Sequence, residues 1–224
     1  MASSKSDTTP ISPSDLTFAW SECERCFWLR YNKGLRRPFS MPGLVSTLSN
    51  MQEAAYEHAH SHDFSSTLPS GHVYGTGQWV ESTALVVNGE KTRWRIRGKY
   101  DFLLLYDDMT WGIVDTKFSG TLKEKTDFYS PQLEAYAYAL ENPAKGDQRQ
   151  VATTGLMVWA PVRTNGSHDD GFHLELDHAY QPLERNEDAF LQRVTTVISL
   201  LDGPMPDPTP ECGYCTWFAE RGKY

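Results

Sequence analysis

The 224-residue chain reads as an α/β protein, with a central mixed sheet flanked by helices, and two observations predict it. Strand-like runs at residues 78–87, 93–106, 111–118, 154–160 and 172–177 alternate or turn wholly apolar, as half-buried and buried strands do. Segments with helical periodicity at 14–31, 46–62, 129–140 and 186–201 stand before, among and after those runs, so helices are available to cover sheet faces. With 39% hydrophobic residues the chain can bury one sizeable core, and it has no apolar run long enough to span a bilayer.

Residues 1–12 are polar and rich in Ser and Thr, so they are expected to be a disordered tail ahead of a single domain at 13–224. The tail lacks the apolar segment of a secretory signal, which points to a cytoplasmic protein. Ser14 caps a first helix with Phe18, Trp20, Phe27, Trp28 and Leu29 as its apolar content. Gly34, Pro38, Pro42 and Gly43 mark a loop, and a Ser- and Gly-rich loop spans 65–77. Between the loops, Glu53 and Glu57 share one helical face, and so do His58 and His62. Asp107 and Asp108 turn the 93–106 run into the 111–118 run as a hairpin. Pro131, a good first-turn residue, opens the helix that follows. After the last helix, Pro204, Pro206, Pro208 and Pro210 form a stiff extended segment that leads the chain back toward its start.

The hairpin carries the chemistry. Its strands contain Gly98-Lys99-Tyr100-Asp101 and Ile113-Val114-Asp115-Thr116-Lys117. Side chains alternate faces on a strand, so Asp115 and Lys117 point the same way, with Asp101 opposite on the partner strand. Two carboxylates suit a hard cation such as Mg²⁺, and an ammonium beside them can orient or deprotonate water and offset charge on a phosphoryl oxygen. An Asp and a Lys two apart are also a common solvated ion pair, so the pattern alone is weak. On the next helix Gln132 and Tyr136 share a face beside the apolar stripe of Leu133, Ala137 and Leu140.

The four cysteines form Cys23-Glu-Arg-Cys26 near one end and Cys212-Gly-Tyr-Cys215 near the other. Four thiolates so paired suit tetrahedral zinc or an iron–sulfur cluster. Disulfides fit poorly without a secretory signal, and no thioredoxin-like strand precedes either motif. A shared centre would join the N- and C-terminal regions and close a loop of almost the whole chain, a structural rather than catalytic role.

The formal charge of −8 and pI near 5.3 argue against a broad surface for nucleic acid. Basic residues nevertheless cluster: Arg25, Arg30, Lys33, Arg36 and Arg37 follow the first cysteine pair, and Arg93, Arg95, Arg97 and Lys99 alternate along one strand toward Asp101, a possible local groove. The 7 Trp and 11 Tyr supply stacking platforms if single strands are bound.

The order G-x-x-D, hydrophobic-D-x-K, then Q-x-x-x-Y on the next helix resembles the PD-(D/E)xK nuclease superfamily, in its RecB-like branch with the AddB nuclease domain and the CRISPR-associated iron-sulfur exonucleases. The resemblance runs from about residue 12 to the C-terminus. It implies a restriction-endonuclease-like core and a DNA nuclease dependent on Mg²⁺ or Mn²⁺, an exonuclease more than an endonuclease, in DNA repair, recombination, or phage or CRISPR-type processing. It implies that Asp101, Asp115 and the Thr116 carbonyl are metal ligands and Lys117 the catalytic lysine. Gln132 and Tyr136 would position the DNA strand or the lysine. The upstream His or Glu ligand of related nucleases is not introduced here in their usual arrangement; Glu57 is the choice among Glu53, Glu57 and His58. The cysteines become ligands of a 4Fe-4S cluster, with zinc as the alternative because related nucleases divide them one and three rather than two and two. The implied partners are DNA, single-stranded or with free ends, and a helicase or other DNA-processing protein. The rival readings are a non-catalytic nucleic-acid-binding or assembly subunit that keeps the centre, and a zinc-stapled interaction domain.

Overall fold

The computed structural model describes residues 8–38, 42–166, 171 and 173–222. The chain runs β1 (Thr9–Ile11), α1 (Pro13–Glu22), α2 (Glu24–Lys33), α3 (Gly43–Ala55), a 3₁₀ turn (Ser61–Asp63), β2 (Gly71–Thr76), β3 (Trp79–Val87), β4 (Glu90–Lys99), β5 (Phe102–Tyr106), β6 (Trp111–Phe118), α4 (Thr126–Glu141), β7 (Val151–Asn165), β8 (His173–Leu183), α5 (Glu187–Asp202) and α6 (Gly213–Arg221).

The central sheet is mixed, as expected, with order β2-β5-β6-β7-β8. Its pairs are antiparallel except β6 with β7, and α4 is the crossover that such a parallel pair requires. A second sheet, β1-β4-β3, stands beside it. Alternation divides the central sheet's apolar side chains. Leu103, Ile113, Leu156 and Val158 join the main core with α4, α5 and the small sheet, whereas Phe102, Leu104, Val114 and Met157 pack with Phe64, Leu68 and Val73 on the other face.

The second sheet corrects the hairpin. Residues 93–106 are two strands in different sheets, with Tyr100 and Asp101 at the break. The consecutive β2 and β3 make the same passage in reverse, so a two-stranded ribbon crosses from sheet to sheet at one corner. There Tyr100 N–H donates to Gln78 C=O at 3.1 Å and Gly77 N–H donates to Asp101 C=O at 2.8 Å. Gly77 has φ +56, in the left-handed region that favours glycine, and its α-carbon faces the Glu53 carboxylate and the Lys99 ammonium.

Other boundaries move for local reasons. The first predicted helix is two, broken where Cys23 takes φ −169. The second ends at Ala55, because Tyr56 turns its ring onto Phe64 and Phe102, at centroid distances of 4.7 and 5.9 Å. Residues 9–11, expected in a disordered tail, pair in parallel with β4 and bury Ile11; residues 1–7 lie outside the described set. Residues 71–76, read as loop, form β2. Pro131 lies inside α4 rather than opening it. The 154–160 strand extends over Val151–Asn165, and the one expected from 172 begins at His173, Phe172 itself lying outside the described residues.

Candidate active site and cysteine centre

The corner between the sheets positions the carboxylates. Asp101 has left β4 but has not yet entered β5, and its Oδ2 accepts from Thr116 N–H at 2.7 Å and Thr116 Oγ1 at 2.9 Å. Both bonds fall on one carboxylate oxygen. Asp115 lies on β6 and is 2% exposed. Its Oδ1 accepts from Gln132 Nε2 at 2.9 Å, and its Oδ2 meets the Lys117 ammonium. Tyr136, one turn on from Gln132, donates its hydroxyl to Lys99 C=O at 2.7 Å. A Cβ at residue 98 would stand 2.6 Å from Pro13 Cδ and 2.9 Å from Tyr136 Cε1, so Gly98 lets α1 and α4 close on the end of β4.

Burial and charge compete within this group. Desolvation raises the Asp115 carboxyl to about 6, Lys117 pulls it down and Asp101 pushes it up again. Burial opposes the Lys117 charge, but Asp115 and Asp101 prevail and hold its ammonium above the ordinary range. Lys117 Nζ also lies 4.9 Å from the Tyr129 ring centroid.

The donor set fits a hard divalent ion. Carboxylate oxygens of Asp101 and Asp115 are presented together, and the buried Asp115 Oδ2 and Gln132 Oε1 lack hydrogen bonds of regular geometry. Asp101, Asp115, Thr116, Lys117, Gln132 and Tyr136 thus share one neighbourhood. Glu57 stands apart on the exposed turn after α3, its carboxylate 4.0 Å from His58 Nε2, and is not gathered with the two aspartates. Glu53, still on the helix, lies closer to the corner, 3.6 Å from Lys99 Nζ. The Thr116 hydroxyl, the Gly77 amide and Tyr129 also stand at this corner, and no local sequence pattern marks any of them.

The expected basic groove is largely neutralised. Arg93 bonds Asp202 at 2.9 Å, Arg95 and Arg97 share Glu81, and Lys99 pairs with Glu53. In the other cluster Arg30 pairs with Asp15 at 2.8 Å and Arg37 with Glu22.

The two cysteine pairs are built alike. Cys23 and Cys212 are the N-cap residues of α2 and α6, and Cys26 and Cys215 lie in the first turns. Both pairs therefore face the positive ends of helices, which favour thiolates. The four sulfurs lie within 4.8 Å of one another, with Cys26–Cys215 at 3.6 Å, Cys26–Cys212 at 3.7 Å and Cys23–Cys215 at 4.0 Å. Disulfides, at about 2.05 Å, are excluded by this geometry. Burial opposes ionisation of Cys23, but hydrogen bonds from Cys26 and Thr209 outweigh it and bring its thiol to about 6, whereas burial raises the Cys26 and Cys215 thiols. Arg37 Nη2 adds positive charge 3.6 Å from Cys212 Sγ. Such a site can bind a metal.

A mixed sheet with two aspartates and a lysine gathered at its corner, backed by a crossover helix, can hold a divalent ion beside an ammonium. The model of the PD-(D/E)XK nuclease superfamily matches residues 45–219, and the chain belongs to that superfamily. No curated protein sequence matches it. A solved structure described as the crystal structure of SSO0001 covers 97% of this chain and 87% of its own, at 15% identity and a TM-score of 0.53, a likeness of fold. Among the described residues no helix is long and apolar enough to cross a membrane.

Proposed function

We propose that the chain is a Mg²⁺- or Mn²⁺-dependent deoxyribonuclease of the RecB-like kind, cutting DNA from its ends. The observation that carries the reading is the convergence of Asp101, Asp115 and Lys117, with Gln132 fixing Asp115 through a 2.9 Å bond. Asp101, Asp115 and the Thr116 carbonyl would hold the divalent ion, which when bound polarises the phosphate and acidifies water. Lys117 keeps its proton in this setting, so its role is to offset charge developing on the phosphoryl oxygens and to orient the attacking water. Thr116, through two donated bonds, fixes Asp101. Tyr136 holds the end of β4, from which Asp101 projects. Glu53, rather than Glu57, is the better candidate for a third acidic group, because it stands on the helix at the same corner.

The spacing of the sulfurs bears on which metal the cysteine centre would take. A single tetrahedral ion with metal–sulfur bonds of about 2.3 Å sets its sulfurs about 3.8 Å apart. A four-iron cluster puts each thiolate on a different iron and needs a wider cage. Three of the separations are 3.6–4.0 Å and all lie within 4.8 Å, which supports zinc over 4Fe-4S. Elemental analysis and visible absorption of protein purified without oxygen separate the two, since iron and a broad thiolate-to-iron band belong to the cluster alone.

The nuclease reading is tested with labelled single- and double-stranded DNA in Mg²⁺ or Mn²⁺. Lys117→Ala is expected to lower cleavage about 10²–10³-fold or more with the fold intact. Wild-type protein without turnover in either ion would favour the non-catalytic subunit instead.

A further inference from the structure

We propose that Phe18, Phe128 and Tyr129 form a stacking platform for an unpaired nucleobase beside Lys117. The proposal rests on the nuclease reading and adds to it a binding site for the bases of a single strand.

The three rings come from two helices. Phe18 on α1 meets Phe128 and Tyr129 on α4 edge to face, with centroids 5.2 and 5.7 Å apart, and the two α4 rings lie 5.1 Å from each other. Leu16 on α1 and Leu133, Ala137 and Leu140 on α4 carry the main packing, and Tyr129 also rests against that core. Phe18 is 38% exposed and Phe128 48% exposed, so two apolar rings are left in water although each helix already has a buried face. Edge-to-face packing fixes the rings in place, so little freedom is lost when a base lands on them.

Position and charge identify the occupant. Tyr129 is shared between the platform and the site, its ring 4.9 Å from Lys117 Nζ. An anionic backbone drawn to Lys117 and a bound cation would therefore bring its bases past Phe128 and Phe18. Lys125 caps α4 directly before them, its carbonyl accepting Phe128 N–H at 3.1 Å, and neither it nor Lys123 enters an ion pair among the described residues. This contrasts with Arg93, Arg95, Arg97 and Lys99, whose charges are already answered by acids. A duplex hides its base faces within the stack, whereas a single strand presents them, and stacking on an aromatic side chain contributes about 1–3 kcal/mol per base.

The test compares wild type with Phe18→Leu/Phe128→Leu, which keeps apolar bulk but removes the two π faces. Affinity is measured without divalent ions for an oligothymidylate and for an abasic strand of the same length, and cleavage of the abasic strand is measured in Mn²⁺. Wild type should prefer the thymidylate, and the variant should lose about 5–150-fold of that affinity while its binding and cleavage of the abasic strand stay unchanged. No wild-type preference for bases, unchanged thymidylate binding by the variant, or an equal loss for both strands would overturn the platform. If base-dependent binding falls as expected but wild type cleaves nothing, the hydrolytic reading fails and the platform stands. If wild type cleaves and the variant binds thymidylate as before, the reverse holds.

Discussion

The cysteine centre and the carboxylate centre are built on opposite plans. The first draws identical soft donors from both ends of the chain and sets each pair on a helix N-terminus, where the local field favours thiolates. The second draws unlike groups from 36 consecutive residues, Asp101 to Tyr136, and gathers them at a corner where burial works against their charges. A complete set of like ligands holds a metal tightly and joins distant segments. A mixed set with an ammonium among the acids leaves a buried carboxylate whose charge is not fully answered. One site is arranged for stability and the other for exchange.

The largest effect that tests this contrast is removal of a cysteine. A link between residues 26 and 212 closes most of the chain, and such a closure contributes about 5 kcal/mol in the chain-entropy account. Cys212→Ser, or prolonged chelation, should lower the thermal midpoint by more than about 10 °C. Circular dichroism melting checks it. A midpoint unchanged within error would mean that α6 is only loosely attached and that the centre serves another purpose.

A second, smaller effect separates the centres by pH. Asp115 titrates at about 6 in the folded protein, against 3.8 as its ordinary value, so the metal-free fold disfavours the ionised form. Stability from this group is full in acid and is lost as pH rises from about 4 to about 6, a change of about 2–3 kcal/mol. Asp115→Asn should lack that loss: measured without divalent ions, its stability relative to wild type should improve across the window. It should also lose the stabilisation that Mn²⁺ gives wild type. A difference between the two proteins that is flat with pH would show that Lys117 already compensates Asp115 in full.

What was legible in the sequence follows the same division. Period 2 on β6 fixes Asp115 and Lys117 to one face, period 4 on α4 joins Gln132 to Tyr136, and the CxxC spacing alone marks each cysteine pair, because all three are local. The crossing at Tyr100 and Asp101 was hidden, since both halves of 93–106 have strand character and only the partner Gly77 decides where the chain leaves one sheet. The separation of Glu57 from Glu53 is hidden for a related reason. Four-residue spacing places both on one face of a continuous helix, but Tyr56 packs onto Phe64 and Phe102 and ends the helix between them. The pairing of Arg95 and Arg97 with Glu81 likewise depends on β3–β4 register, in which Glu81 stands opposite Arg97.

The smallest effect concerns Tyr136, which distinguishes support from chemistry within the carboxylate centre. Its hydroxyl reaches the Lys99 carbonyl at 2.7 Å while its ring lies against Gly98, so it braces the strand end that launches Asp101. Tyr136→Phe keeps the ring and removes one donor, leaving a partly buried carbonyl short of a partner at a cost of about 1–3 kcal/mol. Each kcal/mol lowers the midpoint of a chain of this size by about 2–4 °C. Cleavage should fall much less than in Lys117→Ala, through kcat more than KM, because a slightly displaced Asp101 weakens the metal geometry while leaving the nucleobase contacts in place. A stability loss without any change in kcat would confine Tyr136 to the fold. A loss of cleavage equal to that of Lys117→Ala, with the midpoint unmoved, would instead put its hydroxyl on the substrate and would erase the distinction between the groups that act and the corner that holds them.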